Sequence, residues 1–180
     1  MRRRECFALP LLLAGCGSGT EGEMEYTISP SPITGSGKLN TPVPSYTAGT
    51  WTPVFTFTTL GNLSTTYFTQ LGFYQRVADL VAVHFVVDFS VFTHTSASGN
   101  AIINGLPYVS VFDAALNYGT VSWEGITKAS YTQVVPYVGA GVSSIQFSAS
   151  GSGQSRANIA AADMPSGGTP SFFGVVLYRV

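Results

Sequence analysis

The sequence predicts an all-β fold, an antiparallel β-sandwich of jelly-roll-like form over residues 46–180. Three observations predict it. Residues 80–92 alternate apolar and other side chains with a period of two. Short β-branched and aromatic runs recur from Val54 to the C-terminus, with Gly, Asn or Pro between them. Charged residues make up 9% of the 180-residue chain and hydrophobic ones 45%, whereas an average soluble domain is roughly 25% charged. A chain this poor in charge buries apolar surface between copies or attaches to a membrane.

The long run sets the pattern. Val81, Val83, Phe85, Val87, Phe89 and Val91 fall on one side, with Ala82, His84, Asp88 and Ser90 on the other. Successive strand side chains point to opposite faces, so this spacing turns one face of a β-strand towards a core. At helical spacing the same six residues would scatter around the circumference. Residues 72–77 precede the run, and Ala78-Asp79 forms the two-residue turn between them, without the Gly or Asn that positive φ favours.

Further strands are expected at 54–58, 65–69, 101–103, 121–123, 131–138, 144–149, 156–160 and 172–180. Asn104-Gly105, Gly139 and Gly141, Gly151 and Gly153, and the segment 165–168 supply the turns. Short strands at this spacing belong to antiparallel sandwiches, jelly rolls and barrels.

The N-terminal part has a different character. Arg2, Arg3 and Arg4 are followed by a short apolar run over residues 6–15, the order of a basic region and hydrophobic region in an export signal. Leu13-Ala14-Gly15-Cys16 resembles a bacterial lipobox, in which the cysteine is lipidated and becomes the mature N-terminus. Residues 1–16 are therefore expected to be a leader with Cys16 as a lipid-attachment site; an unstructured tail or a misplaced start is the alternative. Ten apolar residues fall short of the ~20 that span a bilayer, so membrane contact would come only through Cys16. Residues 17–45 contain Pro30, Pro32, Pro42 and Pro44 and read as a linker or extended arm.

The residues that carry chemistry are few. Cys6 and Cys16 are the only cysteines, which leaves 46–180 without a disulfide or a thiolate metal site. His84 and His94 are the only imidazoles, and no G-x-S-x-G motif occurs. His84 and Asp88 share a strand face, but four residues of ~3.3 Å rise separate them by ~13 Å. His84 is expected to point outward or to meet a subunit contact, and His94, in a turn, could line an axis of assembly.

Asp79 and Asp163 sit among turn residues, where Asp commonly bonds backbone. Trp123-Glu124 could hold a sugar, although a strand-end Glu beside a core Trp is the favoured reading. Trp51, beside Pro53, is expected to lie over one end of the sandwich rather than to serve as a sugar platform. No glycine loop opens a helix to cradle phosphate. No catalytic set, metal or cofactor is expected. The net charge is −1, and Lys38, Arg76, Lys128, Arg156 and Arg179 are scattered singly. Phosphate neutralisation needs clustered bases, which excludes nucleic acid as a partner.

An ordered set of short motifs runs through 46–180. Gly49-Thr50-Trp51-Thr52-Pro53-Val54-Phe55-Thr56-Phe57 opens the body, and Gly72-Phe73-Tyr74-Gln75-Arg76-Val77 leads into the alternating strand. Ile103-Asn104-Gly105-Leu106-Pro107 follows, and Tyr178-Arg179 lies just before the end. This order resembles the C-terminal β-domains of tailed-phage tail fibres and related prophage virion proteins. The resemblance implies a homotrimeric module at the virion tail that attaches to a bacterial surface glycan or protein. Leu80, Ala82, Val86 and Phe92, on the other side of the long strand, would then bury against neighbouring copies. The lipobox-like leader supports a second expectation, an exported lipoprotein of the bacterial envelope whose sandwich binds a ligand. An enzyme acting on surface polysaccharide is disfavoured, because no catalytic constellation is visible.

Overall fold

The computed structural model describes residues 44–113 and 117–180. The expected leader with Cys16, and the linker up to residue 43, lie outside the described residues. Ten strands account for most of the described chain: β1 Tyr46–Trp51, β2 Val54–Thr59, β3 Ser64–Val77, β4 Leu80–Thr93, β5 Ser98–Asn104, β6 Asn117–Glu124, β7 Gln133–Val138, β8 Ser144–Gly151, β9 Gln154–Asn158 and β10 Ser171–Arg179. A single 3-10 turn, Ala161–Asp163, precedes β10. The fold is all-β and antiparallel, as the period-two pattern requires.

The strands hydrogen-bond in the order β1-β3-β4-β10-β6-β7-β8-β5-β2, with β9 beside β8. Strand β6 is the corner of this path. Its residues 119–124 pair with β10, while Asn117 and Tyr118 pair with β7. One continuous ladder therefore curls into two facing layers. At its open ends β1 and β2 are consecutive in sequence, and Thr52-Pro53 carries the chain from one layer to the other.

Each expected run lies at least partly in a strand. Residues 65–69 and 72–77 join into the single strand β3, and β1 is an additional strand that its sequence did not signal. In β4, Val81, Val83, Phe85, Val87 and Phe89 are all at most 2% exposed. Burial of each such side chain contributes about 1.5–3 kcal/mol. They meet Phe55, Phe57, Ile103, Ile145 and Phe147 of the other layer. Phe172 of β10 closes the contact, its ring 4.8 Å from that of Phe147 and stacked 5.7 Å from that of Phe55.

One part of the alternation does not hold. Thr66 pairs with Val91, Tyr67 with Phe89 and Thr69 with Asp88, so Ser90 is an extra residue in β4 and Phe68 an extra residue in β3. An inserted residue reverses the facing of everything beyond it. Val91 is consequently 43% exposed, and Phe92 is buried at 1%. Phe92 packs edge-on against Phe89 and Phe55 within the core; it is not part of the outer face.

Trp51, Gly72, Phe85 and Gly174 form one row across β1, β3, β4 and β10. A Cβ at Gly72 would sit 2.6 Å from the Trp51 indole nitrogen, and one at Gly174 would sit 2.5 Å from the Phe85 ring. Each large ring thus lies over a glycine of the next strand. The Trp51 Nε1–H donates to the His84 carbonyl at 3.2 Å. Its ring is covered and offers no platform.

The β3–β4 turn has Ala78 at φ +52°, with Val77 paired to Leu80. An L-residue there costs roughly 1–2 kcal/mol that glycine avoids. Ala78→Gly should therefore raise the stability by about 1 kcal/mol, net of the added flexibility of the unfolded chain, read as a higher urea midpoint at unchanged slope.

Tyr178 is fully buried, and its hydroxyl donates to the Tyr108 carbonyl at 3.1 Å. Burial pushes its pKa up to about 12, above the ~10 of the unfolded chain. A raised folded value gives a contribution that is complete below pH ~10 and lost as the pH climbs through about 12. Tyr178→Phe should flatten the alkaline loss of stability over that interval while costing about 1 kcal/mol at neutral pH, as pH-dependent denaturation would record.

Candidate functional site

Two surfaces stand out, one by its continuity across five strands and one by its depth. The first is the outer face of β1, β3, β4, β10 and β6. Thr50, Phe73, His84, Val175 and Thr120 form its middle row, and Leu71, Val86, Phe173 and Ser122 the next. Phe73 is 52% exposed, Leu71 49%, Leu177 46%, Phe173 45% and Leu80 43%. Exposed side chains of this kind, continuous over neighbouring strands, form an apolar sheet face that no other part of the described residues covers.

Charge is confined to the ends of this face. At one end Arg179 binds Asp79 at 2.9 Å and approaches Asp113 at 3.9 Å. The Arg179 guanidinium holds the Asp79 carboxyl below its ordinary range. At the other end Asp88 and Glu124 flank Ser171 in one row. Two strand spacings place their backbones about 10 Å apart, so the fold brings together a carboxylate pair that are 36 residues apart in sequence. His84 is exposed in the middle of the face, as expected for an outward position.

The second surface is a groove at the corner, where β6 parts from β7. Beyond Asn117 and Tyr118 the two strands no longer pair, and a cavity of about 390 Å³ opens between Trp123, Ile126, Thr127, Lys128, Ala129, Tyr131, Gln133 and Val134. A second hollow of about 280 Å³ shares Trp123, Gln133 and Val134 and continues along Thr120, Val121, Thr132 and Val135. Together they follow the split between the layers.

The loop 125–132 forms one wall and is tied down at several points. Gly125, at φ +77°, lies so close to Pro170 that a Cβ would come within 2.7 Å of it. Thr127 N–H donates to the Asp163 carbonyl at 2.7 Å, and Tyr131 N–H to the Lys128 carbonyl at 3.3 Å. The latter closes a turn with Ser130 at φ +66° in its third position, where a left-handed residue belongs in a type II turn.

Lys128 Nζ binds Asp163 Oδ2 at 2.7 Å, with 18% and 14% of the two side chains exposed. The same Oδ2 accepts the Ala160 N–H at 2.9 Å. Asp163 thus bonds backbone, as its turn setting suggested, and it also anchors the groove. Lys128 Nζ sits 5.4 Å from the centre of the Tyr131 ring, and the Tyr131 hydroxyl donates to the Ser155 carbonyl at 2.9 Å.

Sequence reasoning placed Trp123 in the core. It lies instead at the mouth of the groove, 37% exposed, and its neighbour Glu124 points to the opposite side of β6. His94 is half-buried: its Nε2 lies 2.8 Å from the Met164 carbonyl, and its ring meets Phe57 and Phe92. No linear motif marked the groove, because Lys128 and Asp163 are 35 residues apart and meet only through the fold.

The curled antiparallel β-sandwich is similar in fold to part of a solved tailspike structure. A crystal structure of the Dettilon tailspike protein (gp208) aligns with 74% of this chain at a TM-score of 0.58 and 19% sequence identity. The chain spans 24% of that tailspike's length, and at this identity the likeness is one of fold. No protein-family model matches the chain, and no curated protein does.

Removing the Asp163 carboxylate leaves a shielded ammonium and the Ala160 N–H without their acceptor. Asp163→Ala should cost about 2 kcal/mol, and Lys128→Met should cost less because it leaves the Ala160 bond in place. Chemical denaturation of the two variants would measure the difference.

Proposed function

We propose that residues 46–180 form the attachment module of a phage or prophage virion protein of the tail-fibre and tailspike kind. In this reading three copies assemble, and the module holds a bacterial surface glycan or protein without transforming it. The observation that carries the reading is the fold-level likeness to a tailspike over 74% of the chain. The ordered motifs of the sequence point the same way.

The face of β1, β3, β4, β10 and β6, left exposed among the described residues, supports self-association. Seven large side chains there (Tyr46, Leu71, Phe73, Val77, Leu80, Phe173 and Leu177) are 43–64% exposed. At about 100 Å² or slightly less each, they present on the order of 600 Å² of apolar surface. That is the upper limit for a typical monomer and approaches the ~800 Å² per partner of a stable interface. An apolar centre with charges only at its ends is the anatomy of an interface between subunits. Around a threefold axis each face gives one half to either neighbour. Three weak ligand contacts on one rigid tip then add as avidity rather than as single affinity.

Light scattering of the full chain should give the mass of three copies, and Phe73→Asp with Leu177→Asp should reduce it to one. Fluorescently labelled trimer should adsorb to a subset of bacterial strains, and the monomeric variant should adsorb far less. A stable wild-type monomer, or adsorption to no strain, would overturn the reading. Surface polysaccharide incubated with the protein should keep its chain length. Shortening that Asp88→Ala or Glu124→Ala abolishes would show a catalyst instead.

A further inference from the structure

The groove between β6 and β7 has features that the self-association face lacks, and they belong to the recognition of one class of ligand. We infer that it is a saccharide-binding site, with Trp123 and Tyr131 as the aromatic contacts. This rests on the attachment reading above and names where on the chain the ligand is held.

The shape comes first. The main cavity of about 390 Å³ opens into a further 280 Å³ along the split. Small-molecule sites fall between about 300 and 1,000 Å³, and an elongated split accepts consecutive units of a chain rather than one compact molecule.

The lining chemistry decides between ligand classes. Trp123 is 37% exposed and Tyr131 partly so, and Ile126 and Val134 are buried beneath them. Aromatic surface of this kind packs on the C–H face of a pyranose ring, whose hydroxyls point outward round the rim. Neutral groups are placed to meet those hydroxyls: Thr127, Thr132 and the exposed Gln133 amide line the same groove. Among the described residues neither the Trp123 Nε1–H nor the Gln133 amide has a hydrogen-bond partner. The backbone edges of β6 over 119–124 and of β7 over 133–136 lie unpaired where the strands diverge, which adds further donors and acceptors.

Among the described residues the one charged side chain lining the groove is Lys128, neutralised by its 2.7 Å contact with Asp163. A nucleic acid or a strongly anionic chain would find no net positive field. An apolar peptide would leave the neutral polar groups without partners on burial, at a cost for each. A polyhydroxylated ring satisfies both halves of the lining.

The site is also rigid before it is filled. Gly125 against Pro170, the turn at Ser130, and the bonds from Thr127 and Lys128 to Asp163 fix the loop wall. A wall that is already ordered loses little entropy when the ligand binds.

Intrinsic fluorescence reads the site directly. The chain has two tryptophans, and Trp51 is covered, so a ligand-induced change reports on Trp123. The probes are free glucose, galactose, rhamnose and N-acetylglucosamine, followed by polysaccharide extracted from a strain that adsorbs the full-length protein. At least one should shift or quench the emission saturably, and Trp123→Ala or Tyr131→Ala should weaken polysaccharide binding about tenfold or more. Tyr131→Phe keeps the ring and should bind nearly as well, which separates loss of the platform from loss of folding.

Adsorption to cells separates this inference from the reading beneath it. Loss of adsorption after periodate oxidation of cell-surface diols, and for Trp123→Ala, supports both. Adsorption that survives Trp123→Ala, or is abolished by protease but not by periodate, leaves the attachment reading standing and overturns the saccharide groove. Adsorption to no strain removes the attachment reading. In that case the free sugars alone decide the groove, and an emission unchanged by all four overturns it.

Discussion

Strand β4 has apolar side chains on both of its faces, and much of the architecture follows from where each set goes. Hydrogen-bonded to β3 on one side and β10 on the other, it cannot rotate to favour either set. The inward residues from Val81 to Phe89 are larger and more continuous, and they bury completely against the opposite layer. The outward set, Leu80, Ala82 and Val86, is left on the sheet surface, where Phe73, Phe173 and Leu177 of the neighbouring strands extend it. Core and uncovered face are therefore two consequences of one pleat. The low charge of the chain has the same origin, since residues that would solvate such a face are largely missing from it.

The groove arises from a second constraint, the curl of the ladder. A sheet that closes on itself into two layers must bend somewhere, and here the bend falls within β6. Only Asn117 and Tyr118 can reach β7; the rest of the strand follows β10 into the other layer. The strands separate from that point, and the loop 125–132 must cross the gap between them. A split of this kind leaves unpaired backbone and partly exposed aromatic rings in one place without any local strain in β6 itself. The Lys128–Asp163 pair then holds the loop so that the split stays open and ordered.

The two surfaces make different demands and adjoin on β6, where Thr120 stands at the edge of both. Phe73, Leu177 and the rest of the apolar face sit on the outward side of the sheet, whereas Trp123 shares the row of Phe172 and turns towards the layer interface. Neither Trp123 nor Tyr131 belongs to the apolar rows of the outer face. In the reading proposed above, self-association would satisfy the apolar sheet and recognition would be left to the corner.

The sequence by itself determined what depends on near neighbours. Alternation from Val81 to Phe89 reflects the steric pleat of a strand and could be read without knowing any partner. The turn at Ala78-Asp79, the break after β5 at Asn104-Gly105, and the placing of Asp79 and Asp163 outside the strands were legible for the same reason. Only the tertiary structure decided what depends on pairing. The extra residue at Ser90 exists only relative to β3, so the exchange of Val91 for Phe92 in the core could not be seen along the chain. The strand β1 lacks an alternation of its own and is ordered by Gly49 and Trp51 fitting against Tyr74 and Gly72. Trp123 had the composition of a core residue, and its exposure follows from β6 leaving β7. Register and curvature are set by contacts between residues tens of positions apart, and no local preference encodes them.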